Sequence, residues 1–299
     1  MHWKGVFPAV TTAFTEAGNV DLDFFTHHLR ALVAGGCSGV VVLGSLSEAP
    51  ALRQAEKVDI LTTAKATLGS SVPVLSGVSA SATAEAVAWA KEAVRLGADG
   101  LMVLPPYVYR GDARETALHF DAVFAATGAP VMLYNNPIAY GTDVPPAGVR
   151  ALAERHPNLI AVKESSGDLR RFTELELSAG RPLDRFVGID DQIVEGIHLG
   201  AIGWIAGLAN ALPRESVRLF EAAQAHRAEE VAEIYRWFLP LLRMDAEPKF
   251  VQKIKLAQAE VGLGSARVRA PRRELIGAEL ESTRAAIRAA LEHRPPSLR

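Results

Sequence analysis

Gly39-Val40-Val41-Val42-Leu43 carries no polar side chain at any position. A strand with one face in water alternates apolar and polar residues, whereas a strand that is apolar throughout is buried on both faces, as in a parallel sheet covered by helices. Leu101-Met102-Val103-Leu104 reads the same way. Working outward, apolar runs bounded by Gly, Pro or Asn stand at residues 6–10, 39–43, 72–75, 100–104, 131–134, 159–162, 186–187 and 202–205, eight in all. Between them the apolar spacing changes to that of helices. Phe24, Leu29, Leu32 and Val33 lead to a stop at Gly35-Gly36, and Ala86, Val87, Ala90 and Val94 lead to Gly97. Eight strand–helix units with right-handed crossovers predict a closed (β/α)8 TIM barrel over residues 1–212. An open dinucleotide-binding sheet would instead require a Gly-x-Gly-x-x-Gly turn after the first strand, where this chain has Val10-Thr11-Thr12-Ala13-Phe14. Beyond Pro213 the strand signal stops. Helices are predicted at 215–226, 228–242, 248–261 and 271–292, so residues 213–299 form a helical extension packed on the barrel or on a neighbouring subunit.

Composition narrows the partners. The 299 residues are 49% hydrophobic and 22% charged, the profile of a folded chain with a large core. With 32 Lys and Arg against 34 Asp and Glu, the formal charge of −2 gives no basic excess to gather phosphate backbones. A small-molecule partner is expected and nucleic acid is not. A single cysteine, Cys37, forms no internal disulfide, and Met1-His2-Trp3-Lys4 leads into a strand-like segment without the apolar run of a signal peptide, which predicts a cytoplasmic protein. No stretch approaches the ~18 uninterrupted apolar residues of a membrane helix. Metal and cofactor motifs are also missing: there is no His-Glu-x-x-His, paired Cys-x-x-Cys, Gly-Lys-Ser/Thr phosphate loop or Gly-x-Ser-x-Gly elbow. No cofactor and no metal are expected. His27-His28, inside an amphipathic helix, reads as a solvated face rather than a ligand pair.

Residues with chemistry stand at predicted strand ends. Lys163 closes the sixth run, and in a parallel barrel the carboxyl ends of the strands face the active site. An amine between apolar strands is desolvated, which favours its free base and makes it a candidate nucleophile toward a carbonyl or imine carbon. The bland alternative is a lysine snorkelling to water or paired with Glu164. Tyr134 ends the neighbouring run and could shuttle a proton beside a forming iminium. Gly44-Ser45-Leu46 follows the second run, where backbone N–H groups and a hydroxyl suit a carboxylate; Ser47 could equally cap the next helix.

These pieces together resemble the dihydrodipicolinate synthase / N-acetylneuraminate lyase family of class I aldolase-type barrels. The resemblance spans nearly the whole chain and rests on Gly44-Ser45 with Glu48, Leu104-Pro105-Pro106-Tyr107, Tyr134-Asn135-Asn136-Pro137, Val162-Lys163-Glu164-Ser165-Ser166 and Gly188-Ile189-Asp190-Asp191. It implies that Lys163 forms a Schiff base, Tyr134 relays protons, Ser45 with nearby backbone holds the substrate carboxylate, Gly188 lines the site, and the assembly is a homotetramer, a dimer of dimers. The departures matter. Where dihydrodipicolinate synthases resemble one another in an arginine after Tyr-Asn-x-Pro, this chain has Ala139. Leu46 stands in place of a second threonine, and Val108 in place of the tyrosine lent across the dimer, unless Tyr107 or Tyr109 substitutes. Asp190 and Asp191 are closer to the sialic-acid lyase pattern, whose carboxylates bind substrate hydroxyls; capping of the next helix is the alternative. The strings around Tyr134 and Leu101 look most like the 1-pyrroline-4-hydroxy-2-carboxylate deaminases of hydroxyproline catabolism. A 2-keto-3-deoxy sugar acid aldolase or dehydratase is the nearest rival. 4-Hydroxy-tetrahydrodipicolinate synthesis is ranked lower, and an inert small-acid-binding barrel is the non-enzymatic reading.

Overall fold

The structure is a computed structural model and describes residues 3–177 and 180–298. Eight parallel strands succeed one another around a barrel: β1 Gly5–Pro8, β2 Val40–Val42, β3 Val74–Val78, β4 Gly100–Val103, β5 Val131–Asn135, β6 Leu159–Glu164, β7 Asp184–Val187 and β8 Gly203–Ala206. β1 pairs with β8 at one side, and a bridge between Ala9 and Val41 brings it to β2 at the other. The predicted (β/α)8 architecture with C-terminal helices is the observed one.

The interior closes because large and small residues alternate across it. The Phe7 ring occupies the space a side chain on Gly39 would need, Phe186 does the same at Gly203, and the two rings meet edge to face at 5.7 Å. Burying each ring contributes roughly 1.5–3 kcal/mol. Trp3 packs over Gly100 just before β1 begins.

The boundaries differ from the sequence reading in informative places. β3 runs on to Val78 through Ser76-Gly77, three residues past the end of the predicted run at 75. Gly77 is a close-approach residue: a Cβ there would stand 2.2 Å from the Leu43 carbonyl oxygen. The Trp89 indole covers the same spot, donating to the Gly77 carbonyl at 3.0 Å. His27 is exposed as expected, but His28 is buried, which corrects the solvated-face reading. Its ring faces inward, with Nε2 3.0 Å from Asn210 Oδ1.

The extension comprises helices Pro213–Gln224, Ala228–Leu242, Phe250–Glu260 and Gly277–Glu292. The last starts six residues after the predicted 271, and the third two residues after the predicted 248. Residues 269–272 are not free to be helical, because Arg269 spends its donors on the barrel: its backbone N–H goes to Glu48 at 2.9 Å and its guanidinium to Glu56 and the Gly18 carbonyl. The extension therefore reaches the barrel mouth twice, at the short turn Arg243–Ala246 and at this crossing segment. No helix among the described residues is long and apolar enough to cross a membrane.

Candidate active site

At the carboxyl ends of the strands lies a cavity of about 500 Å³. Lys163 stands at its floor, on the last-but-one residue of β6, with Tyr134 beside it in register on β5. The Lys163 side-chain nitrogen lies 3.9 Å from the centre of the Tyr134 ring. The alternative that Lys163 pairs with Glu164 fails on strand geometry, since adjacent residues point to opposite faces. Glu164 points outward, accepts from Asn135 Nδ2 at 3.1 Å and from the Ser166 N–H at 2.6 Å, and has Arg171 at 3.9 Å. Burial pushes its carboxyl above the usual range.

Gly188, after β7, faces the lysine stem. A Cβ there would stand 2.7 Å from Lys163 Cε and 2.0 Å from Ser165 Oγ, so the lysine side chain runs through space that only glycine leaves open.

The loop after β2 forms the opposite wall, and Gly44, Ser45 and Leu46 all line the cavity. Two residues in left-handed backbone bracket the loop, Leu43 at φ 60° and Glu48 at φ 57°. Such conformations cost roughly 1–3 kcal/mol each and persist only where surroundings hold them. Here the surroundings are visible. Buried Glu48 accepts Lys255 Nζ at 2.8 Å and the Arg269 N–H at 2.9 Å. The Ser47 hydroxyl donates to the Val10 carbonyl rather than capping a helix.

Three tyrosines and a serine complete the wall. Asn136 Nδ2 donates to Tyr134 Oη at 2.9 Å. Asn136 also caps the single helical turn Pro137–Tyr140, accepting from the Ala139 N–H at 2.9 Å, and Gly141 in left-handed backbone ends that turn. The turn carries Tyr140 back over the cavity, where its hydroxyl bonds to Ser45 Oγ and its ring meets Tyr134 and Tyr107 edge to face at 5.8 and 5.6 Å. Burial first, then Tyr134 and Tyr107, push the Tyr140 phenol well above its usual range. Burial likewise raises Tyr107, whose hydroxyl reaches Ser79, Ser45 and Tyr140. Tyr109 is exposed and bonded to Glu115. Of the two tyrosines weighed as replacements, Tyr107 lines the cavity and Tyr109 does not.

Neither Asp190 nor Asp191 lines the cavity. Asp190 is fully buried and accepts from the Trp204 indole and the Gly207 and Leu208 N–H groups; Asp191 lies 3.8 Å from Arg243. Polar cavity residues missed in the sequence include Tyr140, Asp245, Glu247 and Arg272. Tyr140 had a local signal in the Asn136-Pro137 cap and Gly141 stop. Asp245, Glu247 and Arg272 belong to the extension, and no local pattern marks them. Among the described residues no group of three or more His, Cys, Asp or Glu could hold a metal.

A sequence model of the Dihydrodipicolinate synthetase family matches residues 2–290. The chain is 34% identical over 272 residues to the 4-hydroxy-tetrahydrodipicolinate synthase of Methanospirillum hungatei JF-1, covering 90% of this chain and 93% of that one. It is 32% identical to the enzyme of the same name from Agrobacterium fabrum, covering 97% and 98%. Among solved structures it is similar to YagE, a prophage protein of Escherichia coli K12 described as belonging to the dihydrodipicolinic acid synthase family and solved in complex with pyruvate. The TM-score is 0.90 at 27% identity, covering 97% of this chain and 99% of that one.

Proposed function

The chain belongs to the dihydrodipicolinate synthetase family, an aldolase-type family, and from that premise we propose that it is a lysine Schiff-base enzyme for a small hydroxylated 2-oxo acid or cyclic imino acid. The substrate named by this reading is 1-pyrroline-4-hydroxy-2-carboxylate, deaminated to 2-oxoglutarate semialdehyde and ammonia. One observation carries it: Lys163 Nζ opens into the cavity above the Tyr134 ring, facing a wall of hydroxyls that begins at Ser45.

The Lys163 amine adds to the ring C=N carbon, and the ring nitrogen leaves with a proton, giving an open-chain iminium on the lysine. The iminium draws electrons from its substituents, so a proton leaves the adjacent carbon and an enamine forms. Tyr134, whose hydroxyl meets that of Tyr140, which in turn bonds to Ser45, is the proton carrier. The enamine expels the hydroxyl on the next carbon as water. Tautomerisation and two hydrolyses then release ammonia and the aldehyde acid, with one water consumed in the balance. The N–H groups and hydroxyl of Gly44-Ser45-Leu46 hold the substrate carboxylate. Asp190 and Asp191 receive no substrate contact in this scheme. Assembly as a homotetramer belongs to the same reading, Val108 and Tyr109 being exposed beside the mouth where a second chain would cover them.

A second reading, 4-hydroxy-tetrahydrodipicolinate synthesis from pyruvate and aspartate semialdehyde, is favoured by the names of the curated relatives. Ala139, which offers no charge to the aldehyde substrate's carboxylate, argues against it. The test has two stages. Borohydride with pyruvate is expected to leave a mass adduct on Lys163 and none in Lys163→Ala. Ammonia release from 1-pyrroline-4-hydroxy-2-carboxylate is then compared with turnover of 2-keto-3-deoxygluconate and of pyruvate plus aspartate semialdehyde; rapid turnover of the last pair alone replaces the first reading with the second.

A further inference from the structure

Two carboxyl groups meet near Lys163 that the scheme above does not use. Asp190 arrives from the loop after β7 and takes three N–H groups: the Trp204 indole at 2.9 Å, Gly207 at 2.9 Å and Leu208 at 2.7 Å. Asp245 arrives from the opposite direction, on the turn Arg243–Ala246 of the helical extension, and presents part of its surface to the cavity that Lys163 opens into. It accepts the Asp190 backbone N–H. A Cβ built on Gly207 would stand 2.3 Å from Asp245 Oδ1 and 3.3 Å from Asp190 Oδ2, so the two carboxyl groups converge on one point of the backbone.

Two buried like charges this close do not both persist, and the donors decide which one does. Asp190 has three N–H groups turned on it and is the member that bears the charge. Burial, and then the Asp190 carboxylate, push the Asp245 carboxyl well above its usual range. Lys163 opposes that shift without being its largest cause, so the group facing the cavity is held toward its protonated form, from which it can donate.

We propose that Asp245 is a catalytic acid of this site, donating its proton to a hydroxyl that leaves from the second carbon out from the Lys163-bound carbon. This rests on the Schiff-base reading above and narrows its substrate class to compounds bearing that hydroxyl. In the step, the enamine nitrogen lends its electron pair to form C=N⁺ and the double bond moves outward by one carbon. The C–O bond breaks with its pair on oxygen, and the oxygen takes the Asp245 proton and departs as water. Asp245 is left as carboxylate and regains a proton from solvent before the next turnover. The barrel strands supply the electron sink, and the extension supplies the acid.

The test uses Asp245→Asn in the full chain and two partial reactions. Loss of ammonia release from 1-pyrroline-4-hydroxy-2-carboxylate is expected in kcat, by about a hundredfold or more. Borohydride trapping of pyruvate on Lys163, and solvent-deuterium exchange into the pyruvate methyl group, need no leaving group and are expected to persist in the same sample, which also shows that the variant folds. Asp245→Glu, which keeps a proton to give, is expected to recover part of kcat. Ammonia release by Asp245→Asn within threefold of wild type overturns the proposal alone. Equal loss of exchange and ammonia release also overturns it, because Asp245 would then act before the leaving step. A wild-type enzyme that traps pyruvate yet releases no ammonia overturns the substrate reading and this proposal with it.

Discussion

Lys163 can serve as the proposed nucleophile only if its stem is threaded along one path, and Gly188 holds that path open. Gly188→Ala would put a methyl group 2.7 Å from Cε and 2.8 Å from Cγ of the lysine. The lysine must then swing off the Tyr134 ring. A displacement near 1 Å at a reacting group costs about a hundredfold in rate, so the rate of borohydride-trapped pyruvate adduct formation on Lys163 is expected to fall by about that factor in Gly188→Ala while the fold stays intact. At this scale the sequence was readable wherever a strand end dictates direction. Lys163 and Tyr134 follow their apolar runs directly, and the pleat fixes which way each one points. Asp190 was misread because its neighbours in the chain look like a hydroxyl-binding motif. Its actual partners, Trp204, Gly207 and Leu208, arrive from β8 and the turn after it, beyond any local window.

The single helical turn Pro137–Tyr140 determines what stands around Lys163 and Tyr134. Its position follows from ordinary capping chemistry: an Asn to receive the first free N–H, a Pro at the first position and a Gly to leave the helix. Its consequence is tertiary, since four residues bring Tyr140 from the chain just past β5 to the hydroxyl of Ser45 after β2. In Tyr140→Phe the ring contacts with Tyr134 and Tyr107 are retained while the link from Ser45 is cut. Solvent-deuterium exchange into pyruvate is expected to slow by roughly the hundred- to ten-thousandfold typical of a lost proton relay, with the rate of Lys163 trapping little changed. The same scale explains the boundary errors. Ser76-Gly77 has turn chemistry, yet β3 passes through it because the Leu43 carbonyl needs the missing Cβ. The predicted helix from 271 starts late because Arg269, two residues upstream, is anchored to two barrel loops and to Glu56 in the helix that follows β2.

Across the whole molecule, barrel and extension are joined by polar groups buried between them. Thr11, His28 and Asn210 of the barrel and its adjoining loop meet Gln258 of the extension: Thr11 Oγ1 donates to Gln258 Oε1 at 2.8 Å, and His28 Nε2 lies 3.0 Å from Asn210 Oδ1. Burial pulls the His28 imidazole down to about 4, while the Asn210 bond opposes that shift. An unfolded chain takes up this proton near pH 6.5 and the folded one only near 4. Stability from this site is therefore complete above pH 6.5 and is lost as pH falls toward 4, by about 3 kcal/mol at the end. The difference in melting temperature between wild type and His28→Gln is expected to shrink over that interval. Asp190, whose carboxyl is shifted the opposite way to about 6, is common to both proteins and cancels in the difference. The barrel itself was legible because eight apolar runs admit few topologies. The joint was not, because its partners lie more than 180 residues apart in the chain.

Glu48 turns the loop after β2 through a left-handed residue, and its countercharge, Lys255, is fully enclosed in the second half of the chain. Neither member tolerates solitude: removing one partner from such an enclosed pair costs about 3–5 kcal/mol. The loop after β2 and the tail that closes over it are thus a single structural unit. A hybrid that kept this barrel and took a foreign tail would have to carry this lysine over, or lose the shape of the loop after β2.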